Sequence, residues 1–350
     1  MTINTYLINK VNAQKHRLNG IIRSNRLPTK SNLCRAFRDN IVYTQKELPP
    51  KVDLRKDMTA VEDQSQIGSC AANALAGAYE YLTKKENGRN TDVSRLFIYY
   101  NARAKNKKFG SVTDSGCSMA SAIEALEEFG TCLESIWAYN VSKVNTRPND
   151  QAYQEAKNHT ISEAFEVDIN LFEMKSCLAQ GYPFAFGLRL YSSFDKATET
   201  GLVPMPDASA KNRKTHGCHA LLAVGYSDRS KVFIVRNSWG EKWYNSNNSQ
   251  FTGGQYDQVN QQNWQPNQFQ QVSHNNYQLG APDQQHWNNS NMNQTNSVNN
   301  AFGQETWNNN QINPQNQLQW SNTQYGQPYT DANFRGDTFG NQYPGKYLTI

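Results

Sequence analysis

The spacing of apolar residues divides the chain into a helix-rich first half and a strand-rich second half. Apolar side chains recur at helical intervals in three segments: 71–84, 95–104 and 118–129. From about residue 161 short runs rich in β-forming residues follow, bounded by Gly, Pro or Asp, at 184–190, 221–226 and 232–236. A short strand is expected at 52–54 and a short helix at 173–180. This order is typical of an α+β fold with a cleft where its two halves meet.

The first 46 residues form a separate basic arm. Their Lys and Arg side chains far outnumber the single acidic residue, Asp39. Five apolar residues fall near one helical face: Ile3, Leu7, Val11, Leu18 and Ile22. Basic, amphipathic segments of this kind occur in organelle-targeting peptides. A solvated arm or a short cover over the cleft is the favoured interpretation.

Residues 246–350 differ in composition from the rest of the chain. The last hundred residues contain 40 Asn and Gln but only seven charged side chains. Such a segment has too few aliphatic side chains to offset the entropy of ordering its backbone. We therefore expect a disordered tail that can self-associate, which leaves residues 47–245 as the folded domain.

Composition excludes several classes of protein. The net charge is only +5, and no basic stripe is interleaved with stacking aromatics, which argues against a nucleic-acid partner. No apolar run reaches the length of about 18 residues that suggests a membrane span. The N-terminus lacks the apolar run of a secretory signal, and six scattered cysteines do not make a disulfide scaffold. We expect a cytoplasmic protein by default, with lysosomal and extracellular locations left open, and no cofactor.

Three widely separated segments carry the candidate chemistry. Cys70 begins a predicted helix, where unpaired backbone N–H groups and the helix dipole favour a thiolate, and the Gln64 amide precedes it by six residues. His219 follows in a His-Ala-Leu-Leu-Ala-Val-Gly-Tyr run, and Asn237 begins Asn-Ser-Trp-Gly. A cysteine, a histidine and an asparagine in this order are the sequence form of a Cys-His-Asn hydrolase.

At these residues the chain resembles the papain-like cysteine peptidases, over about residues 47–245. The resemblance rests on four ordered motifs and on a segment, Leu48 to Arg55, that looks like the start of the mature domain. It implies a helical lobe that carries the cysteine, a β-barrel lobe that carries His and Asn, and peptide or protein substrates. It also implies a nucleophile (Cys70), a base (His219), an orienting amide (Asn237), an oxyanion donor (Gln64) and a shielding indole (Trp239).

The substrate cleft departs from the family pattern. Gly116 matches the first of the family's paired glycines, but Cys117 stands at the second position. Met119 matches a position near the apolar pocket for the residue two before the scissile bond. Ordinary helix packing explains Met119 equally well. The family's final Gly-Tyr strand is absent from its usual place after Trp243, and only residues 254–257 offer a displaced substitute.

Several alternatives stay open at this stage. His216 competes with His219 for the role of base, and Cys218 with these two histidines offers an incomplete metal site that lacks a second ligand pair. The altered final strand allows an inactive interaction protein assembled through its tail. An acyl-enzyme captured by an amine would give a transferase, although such enzymes normally have Asp where this chain has Asn237.

Overall fold

The computed structural model describes most of the first 241 residues and two short strands beyond them. The described ranges are residues 4–9, 13–105, 107, 110–206, 216–241, 256–260 and 347–349. The helices are α1 (Cys70–Asn87), α2 (Arg95–Ala104), α3 (Met119–Glu128), α4 (Asp150–Ala156), α5 (Leu171–Ala179) and α6 (Ala197–Thr200). Short 3-10 turns occur at Ser31–Leu33, Phe37–Asn40, Arg55–Asp57, Val141–Lys143 and Ser192–Lys196.

The strands form a two-stranded hairpin and one large mixed sheet. They are β1 (Tyr6–Ile8), β2 (Lys15–Arg17), β3 (Arg35–Ala36), β4 (Lys51–Asp53), β5 (Glu163–Glu166), β6 (Phe184–Leu190), β7 (Leu202–Val203), β8 (Gly217–Ser227), β9 (Val232–Arg236), β10 (Tyr256–Asn260) and β11 (Tyr347–Thr349). Strands β1 and β2 pair antiparallel. Within the described residues the large sheet runs in the order β3-β5-β11-β6-β8-β9-β10-β7, and β4 pairs with β8.

The helices predicted from apolar spacing are present in the structure. Helix α1 runs from Cys70 to Asn87 and is followed by Gly88, which adopts the left-handed conformation that favours glycine after a helix C-terminus. Ser94 and Ser118 cap α2 and α3 by accepting backbone N–H groups of Phe97 and Ser121. The helical interpretation of the arm is wrong for its described part, because Leu7 and His16 pair across the β1–β2 hairpin.

Strand β8 holds the two lobes together by contributing to both cores. Alternate side chains of a strand point to opposite faces of the sheet. Ala220, Leu222 and Val224 join the core that surrounds α1, whereas Leu221 and Ala223 join a second core in the β lobe. The long apolar run of the sequence is therefore buried on both faces, and it fixes His219 at the junction of the lobes.

A strand far along the chain covers the edge of β9. Strand β10 pairs antiparallel with all five residues of β9, from Tyr256 opposite Arg236 to Asn260 opposite Val232. Tyr256 and Asp257 belong to the segment that the sequence offered as a displaced substitute. The open barrel edge that motivated the inactive alternative is thus paired. The tail outside β10 and β11 lies outside the described residues.

Candidate active site

Cys70 occupies the first position of α1 and is completely buried. Its sulfur lies near the backbone amides of Ala220, Ala71 and Cys70 itself. Burial outweighs these amides and the charge of Arg17, and it raises the pKa of the thiol to about 11. The helix start is where the sequence predicted it, but burial in this state opposes the thiolate that the helix terminus favours.

His219 lies on β8, Asn237 directly follows β9, and their side chains are within hydrogen-bond distance. The Nε2 atom of His219 lies 2.9 Å from Oδ1 of Asn237. Because an amide oxygen only accepts, Nε2 must carry the proton and Nδ1 must carry the lone pair. Nδ1 is buried without a hydrogen-bond partner in the described part of the chain. The ring therefore presents a basic nitrogen, and its backbone neighbour Ala220 contacts the Cys70 sulfur.

Gln64 and Trp239 complete the surroundings of this pair. The Gln64 Oε1 atom accepts a hydrogen bond of 2.6 Å from Ser238 Oγ, while its Nε2 donates to the carbonyl oxygen of Ile67 at 3.0 Å. The fully buried Trp239 ring lies 5.1 Å from the His219 ring, at an angle of 34°. The Asn-Ser-Trp-Gly motif thus places Asn237 and Trp239 against His219 and Ser238 against Gln64.

The basic arm passes through the cleft above Cys70. A Cβ atom added to Gly20 would lie 2.9 Å from Cys70 Sγ and equally close to the Gly68 backbone. The Ile22 amide donates to the Cys117 carbonyl at 2.9 Å, and the Cys117 amide donates to the Gly20 carbonyl at 3.2 Å. Cys70 and His219 are consequently inaccessible to solvent. Of the alternatives for the arm, a short cover over the cleft describes what the structure shows.

The arm lies in a register that does not present any of its own peptide bonds to the Cys70 sulfur for attack. The carbonyl oxygen of Arg17 faces the Gln64 amide at 3.5 Å, whereas Gly20, three residues later, abuts the sulfur. The oxygen near the amide donor and the backbone near the nucleophile therefore belong to different peptide units. The arm can occupy the cleft without being positioned for cleavage.

His16 of the arm lies against the catalytic candidates. Its ring stacks on Trp239, with centroids 5.0 Å apart, and its Nδ1 lies 3.7 Å from Asp63 Oδ1. Burial lowers the pKa of His219 to about 4, against the hydrogen bond that His219 donates to Asn237, and the charge of His16 lowers it further. With the thiol pKa near 11, proton transfer from Cys70 to His219 is unfavourable while the arm is docked.

The predicted cleft residues lie beside the arm rather than along an open groove. Gly116 has φ of +80°, and a Cβ there would overlap the Gly20 carbonyl oxygen. Cys117 pairs with Ile21 in a parallel bridge. Met119 begins α3 and is buried in the core around α1. Their contacts place Gly116 and Cys117 at the cleft, while the role of Met119 in binding substrate stays a prediction.

Sequence reasoning missed three polar contributors to the site: His16, Arg17 and Asp114. Arg17 is almost completely buried and pairs with Asp114, which also contacts the loop before Cys70. The sequence offered little to identify these residues. Asp114 is marked only by its position two residues before the predicted cleft residue Gly116, and His16 and Arg17 lie in an arm that carries no motif. His216, the competing base, lies 3.4 Å from Asp195 and is not the histidine that meets Asn237.

All six cysteines are free thiols. Within the described residues no cluster of three or more His, Cys, Asp or Glu side chains could hold a metal ion, and Cys218, His216 and His219 form no such group. The described helices include none long and apolar enough to cross a membrane.

The helical lobe with its buried cysteine, and the β lobe with its His–Asn pair, define a cysteine peptidase fold. A family model described as papain family cysteine protease matches residues 48–266, and the chain belongs to that family. The match extends past residue 245 and includes the range of β10. The protein is therefore a cysteine-type peptidase, and its substrates are peptides or proteins.

Relatives in viruses, animals and bacteria support the assignment. The chain is 35% identical over 248 residues to an uncharacterised peptidase C1-like protein of Acanthamoeba polyphaga mimivirus, covering 64% of this chain and 78% of that protein. It is 28% identical to a cathepsin L-like proteinase of Fasciola hepatica, covering 56% of this chain and 58% of the relative. Xylellain, a cysteine protease from Xylella fastidiosa, superposes with a TM-score of 0.57 at 31% identity, over 69% of this chain and 90% of that structure.

Proposed function

We propose that the protein hydrolyses peptide bonds through a Cys70–His219–Asn237 triad and a covalent acyl-enzyme. The observation that carries the proposal is the 2.9 Å hydrogen bond from His219 Nε2 to Asn237, which leaves Nδ1 unprotonated as the base, while the backbone of the next residue, Ala220, contacts the Cys70 sulfur. Once the arm leaves, water and substrate reach both groups, and the burial that opposes charge on them is reduced. The thiol proton then moves to His219 Nδ1.

In this proposal the chemistry proceeds in two displacements. The Cys70 thiolate attacks the carbonyl carbon, and the oxyanion accepts hydrogen bonds from the Gln64 side-chain amide and the Cys70 backbone N–H. His219 returns the proton to the leaving amine, which breaks the peptide bond and leaves a thioester. A water molecule, deprotonated by His219, then hydrolyses the thioester and regenerates the thiol. Ser238 holds Gln64 by its oxygen, so the amide nitrogen is directed toward the cleft.

We further propose that the docked arm is the resting, inactive state. Two observations support it: the complete burial of Cys70 and His219, and the position of Gly20 against the sulfur. Burial raises the pKa of the Cys70 thiol and lowers the pKa of His219, which opposes formation of the ion pair between them. Ion pairs outside the cleft add to docking, including Arg26 with Glu124 on α3 at 2.6 Å. Activity then depends on how often the arm undocks.

Labelling with a thiol-directed epoxide peptide tests the nucleophile. The full-length protein is treated at neutral pH, digested, and mapped by mass spectrometry across its six cysteines. We expect adducts at Cys70 and slower labelling in a His219→Ala variant, which lacks the base. Preferential modification of Cys34, which is more exposed than Cys70, would reject the assignment because exposure alone would then explain reactivity.

Acidification is expected to release the arm. Burial lowers the pKa of His16 from its ordinary value of 6.5, although the charge of Asp63 raises it, and His219 also faces it. Because His16 binds protons more tightly when undocked, docking is strongest above roughly pH 6.5 and weakens as the pH falls below it.

The comparison variant for this prediction is His16→Phe, which can stack on Trp239 but does not titrate. The pH dependence of the catalytic groups is common to both proteins, so the ratio of wild-type to variant peptide turnover isolates the arm. We expect this ratio to rise as the pH is lowered from about 7.5 to about 5. A ratio that stays constant over this range would exclude His16 as the sensitive group.

Two expectations from composition remain predictions. Self-association through the Asn/Gln-rich tail would appear as concentration-dependent assembly in light scattering, lost when residues 261–346 are removed. Cytoplasmic location would be tested by fractionating cells that express the protein.

A further inference from the structure

The hydroxyl group of Tyr139 contacts both ends of the loop that carries the proposed oxyanion donors. This loop runs from Gln64, which supplies its side-chain amide, to Cys70, which supplies its backbone N–H. Tyr139 Oη donates to the Gln64 carbonyl oxygen at 2.9 Å and lies 2.6 Å from Ser69 Oγ. One side chain from another part of the helical lobe therefore bonds to the residue of the first donor and to the residue directly before the second.

These hydrogen bonds form a chain that runs in one direction. A tyrosine hydroxyl has a single proton. Because Tyr139 donates that proton to the Gln64 carbonyl, Ser69 Oγ must donate to Tyr139 Oη. Asn73 Nδ2 donates to Ser69 Oγ at 3.1 Å and to the Ser69 carbonyl oxygen at 3.0 Å. That carbonyl shares a planar peptide unit with the Cys70 N–H, so the chain also fixes the direction of this donor.

The loop requires such support because its backbone is strained. Ser65 directly follows Gln64 and has φ of +56°, a left-handed conformation that residues with a side chain rarely adopt. Strained residues persist only where the surrounding structure holds them in place. The Ser65 amide donates to Asp63 Oδ1 at 2.7 Å, and Tyr139 holds the Gln64 carbonyl of the same peptide unit.

Tyr139 is itself fixed by the helical lobe. Its amide donates to Glu134 Oε1, and the guanidinium carbon of Arg95 lies 5.4 Å from the centroid of its ring. Burial raises the pKa of Tyr139, so the hydroxyl keeps the proton that it donates. None of these contacts involves the arm, and undocking of the arm therefore does not break them.

We infer that Tyr139 is a positioning residue for the oxyanion donors. The inference rests on the proposed function and adds to it the group that sets where the Gln64 amide and the Cys70 N–H point. Tyr139 acts through Gln64 and Ser69 rather than on the substrate. Donors that are held in advance stabilise the charge of the transition state without reorganising first. Tyr139 therefore contributes to the rate of acyl transfer, and not to substrate binding or to the reactivity of the thiol.

The test compares two reactions of Cys70 in full-length Tyr139→Phe, which loses one hydroxyl and keeps its ring. The first is cleavage of a fluorogenic peptide, chosen from a library as one that the wild-type protein cleaves, and it passes through an oxyanion. The second is alkylation by iodoacetamide, quantified at Cys70 by mass spectrometry. Alkylation displaces iodide from a saturated carbon and forms no oxyanion. Both reactions require the arm to open, so the ratio of kcat/KM to the alkylation rate is independent of how often it undocks.

We expect this ratio to fall about tenfold in Tyr139→Phe, with the loss in kcat and with KM unchanged. The loss is smaller than the roughly hundredfold or greater effect of deleting an oxyanion donor, because both donors remain and are only held less firmly.

Two further variants test the chain itself. Ser69→Ala interrupts it at a different residue, so this variant should lower the ratio to a similar extent. The double variant should lose little more than either single one, because both substitutions break the same chain. The matched control is Tyr153→Phe, which removes a hydroxyl that donates to Asn101 Oδ1 at 2.7 Å elsewhere in the helical lobe. This control should keep the wild-type ratio.

Three results would overturn the inference: an unchanged ratio in Tyr139→Phe, an equal loss in both reactions, or a loss that appears in KM instead of kcat. The second would mean that Tyr139 supports the fold, and the third that it supports substrate binding. If Cys70 of the wild-type protein is alkylated but no peptide of the library is cleaved, the proposed function fails, and the inference fails with it.

Discussion

Replacing Cys70 by alanine is expected to reduce peptide cleavage by a factor of about a thousand or more, because no other group can form the acyl-enzyme. The initial rate with a fluorogenic peptide measures this loss. The substitution removes one buried sulfur at the first position of α1, so we expect the free energy of unfolding to change by no more than about 1–2 kcal/mol. The loss of activity should therefore appear in a folded protein.

The matched control is Cys132→Ala. Cys132 is a buried thiol whose pKa burial also raises, to about 12, but it lies in the helical lobe next to the bridge between Val93 and Leu133. It should keep cleavage close to wild type while its thermal unfolding reports the cost of removing a buried sulfur. Turnover that persists in Cys70→Ala, with a circular dichroism spectrum like that of wild type, would contradict the role of Cys70.

Replacing Gly20 by valine is expected to activate the enzyme by opening the cleft. A side chain at this position would overlap Cys70 Sγ and the Gly68 backbone, both at 2.9 Å from the added Cβ. Overpacking of this kind costs about 2 kcal/mol, which would raise the open fraction roughly thirtyfold where the docked state predominates. The expected result is a faster initial rate and faster epoxide labelling of Cys70.

Asn25→Val is the control for a branched side chain in the arm. Asn25 is exposed and makes no described contact with the cleft, so this variant should behave like wild type. Combining Gly20→Val with Cys70→Ala should remove the gained activity, which assigns it to this active site. If Gly20→Val is no faster than wild type and labels no faster, the arm does not limit access to Cys70.

The structure of the N-terminal arm could not be predicted from its own sequence, because its partners lie far along the chain. The positions of Leu7 and Leu18 are compatible with a helical face, yet the segment forms a hairpin and then an isolated bridge between Ile21 and Cys117. This path is favoured because the Ile21 and Ile22 amides find carbonyl partners on Cys218 and Cys117 of the folded domain. Those partners are about a hundred and two hundred residues away, so no local pattern indicates them.

Strand β10 is a second case in which distant pairing decided the structure. The family's final strand was expected soon after Trp243, and its absence there suggested an unpaired edge. In the structure, Tyr256 pairs with Arg236 after an interval of twenty residues. An interval of this length adds little to the entropic cost of bringing the two strands together, because that cost grows only slowly with length. The apolar pattern around Val259 is too short to predict such a strand.

The sequence by itself determined the α1 helix and its cysteine, the apolar strand that carries His219, and the Asn-Ser-Trp-Gly motif. Helical spacing, β-forming runs and motif residues are local properties that can be read within ten to twenty residues. Only the tertiary structure decided that His219 donates to Asn237, that Gly20 covers the sulfur, and that burial raises the pKa of the Cys70 thiol. These outcomes depend on burial and on contacts between distant segments, and the free energies that set them arise only after the two lobes and the arm have packed together.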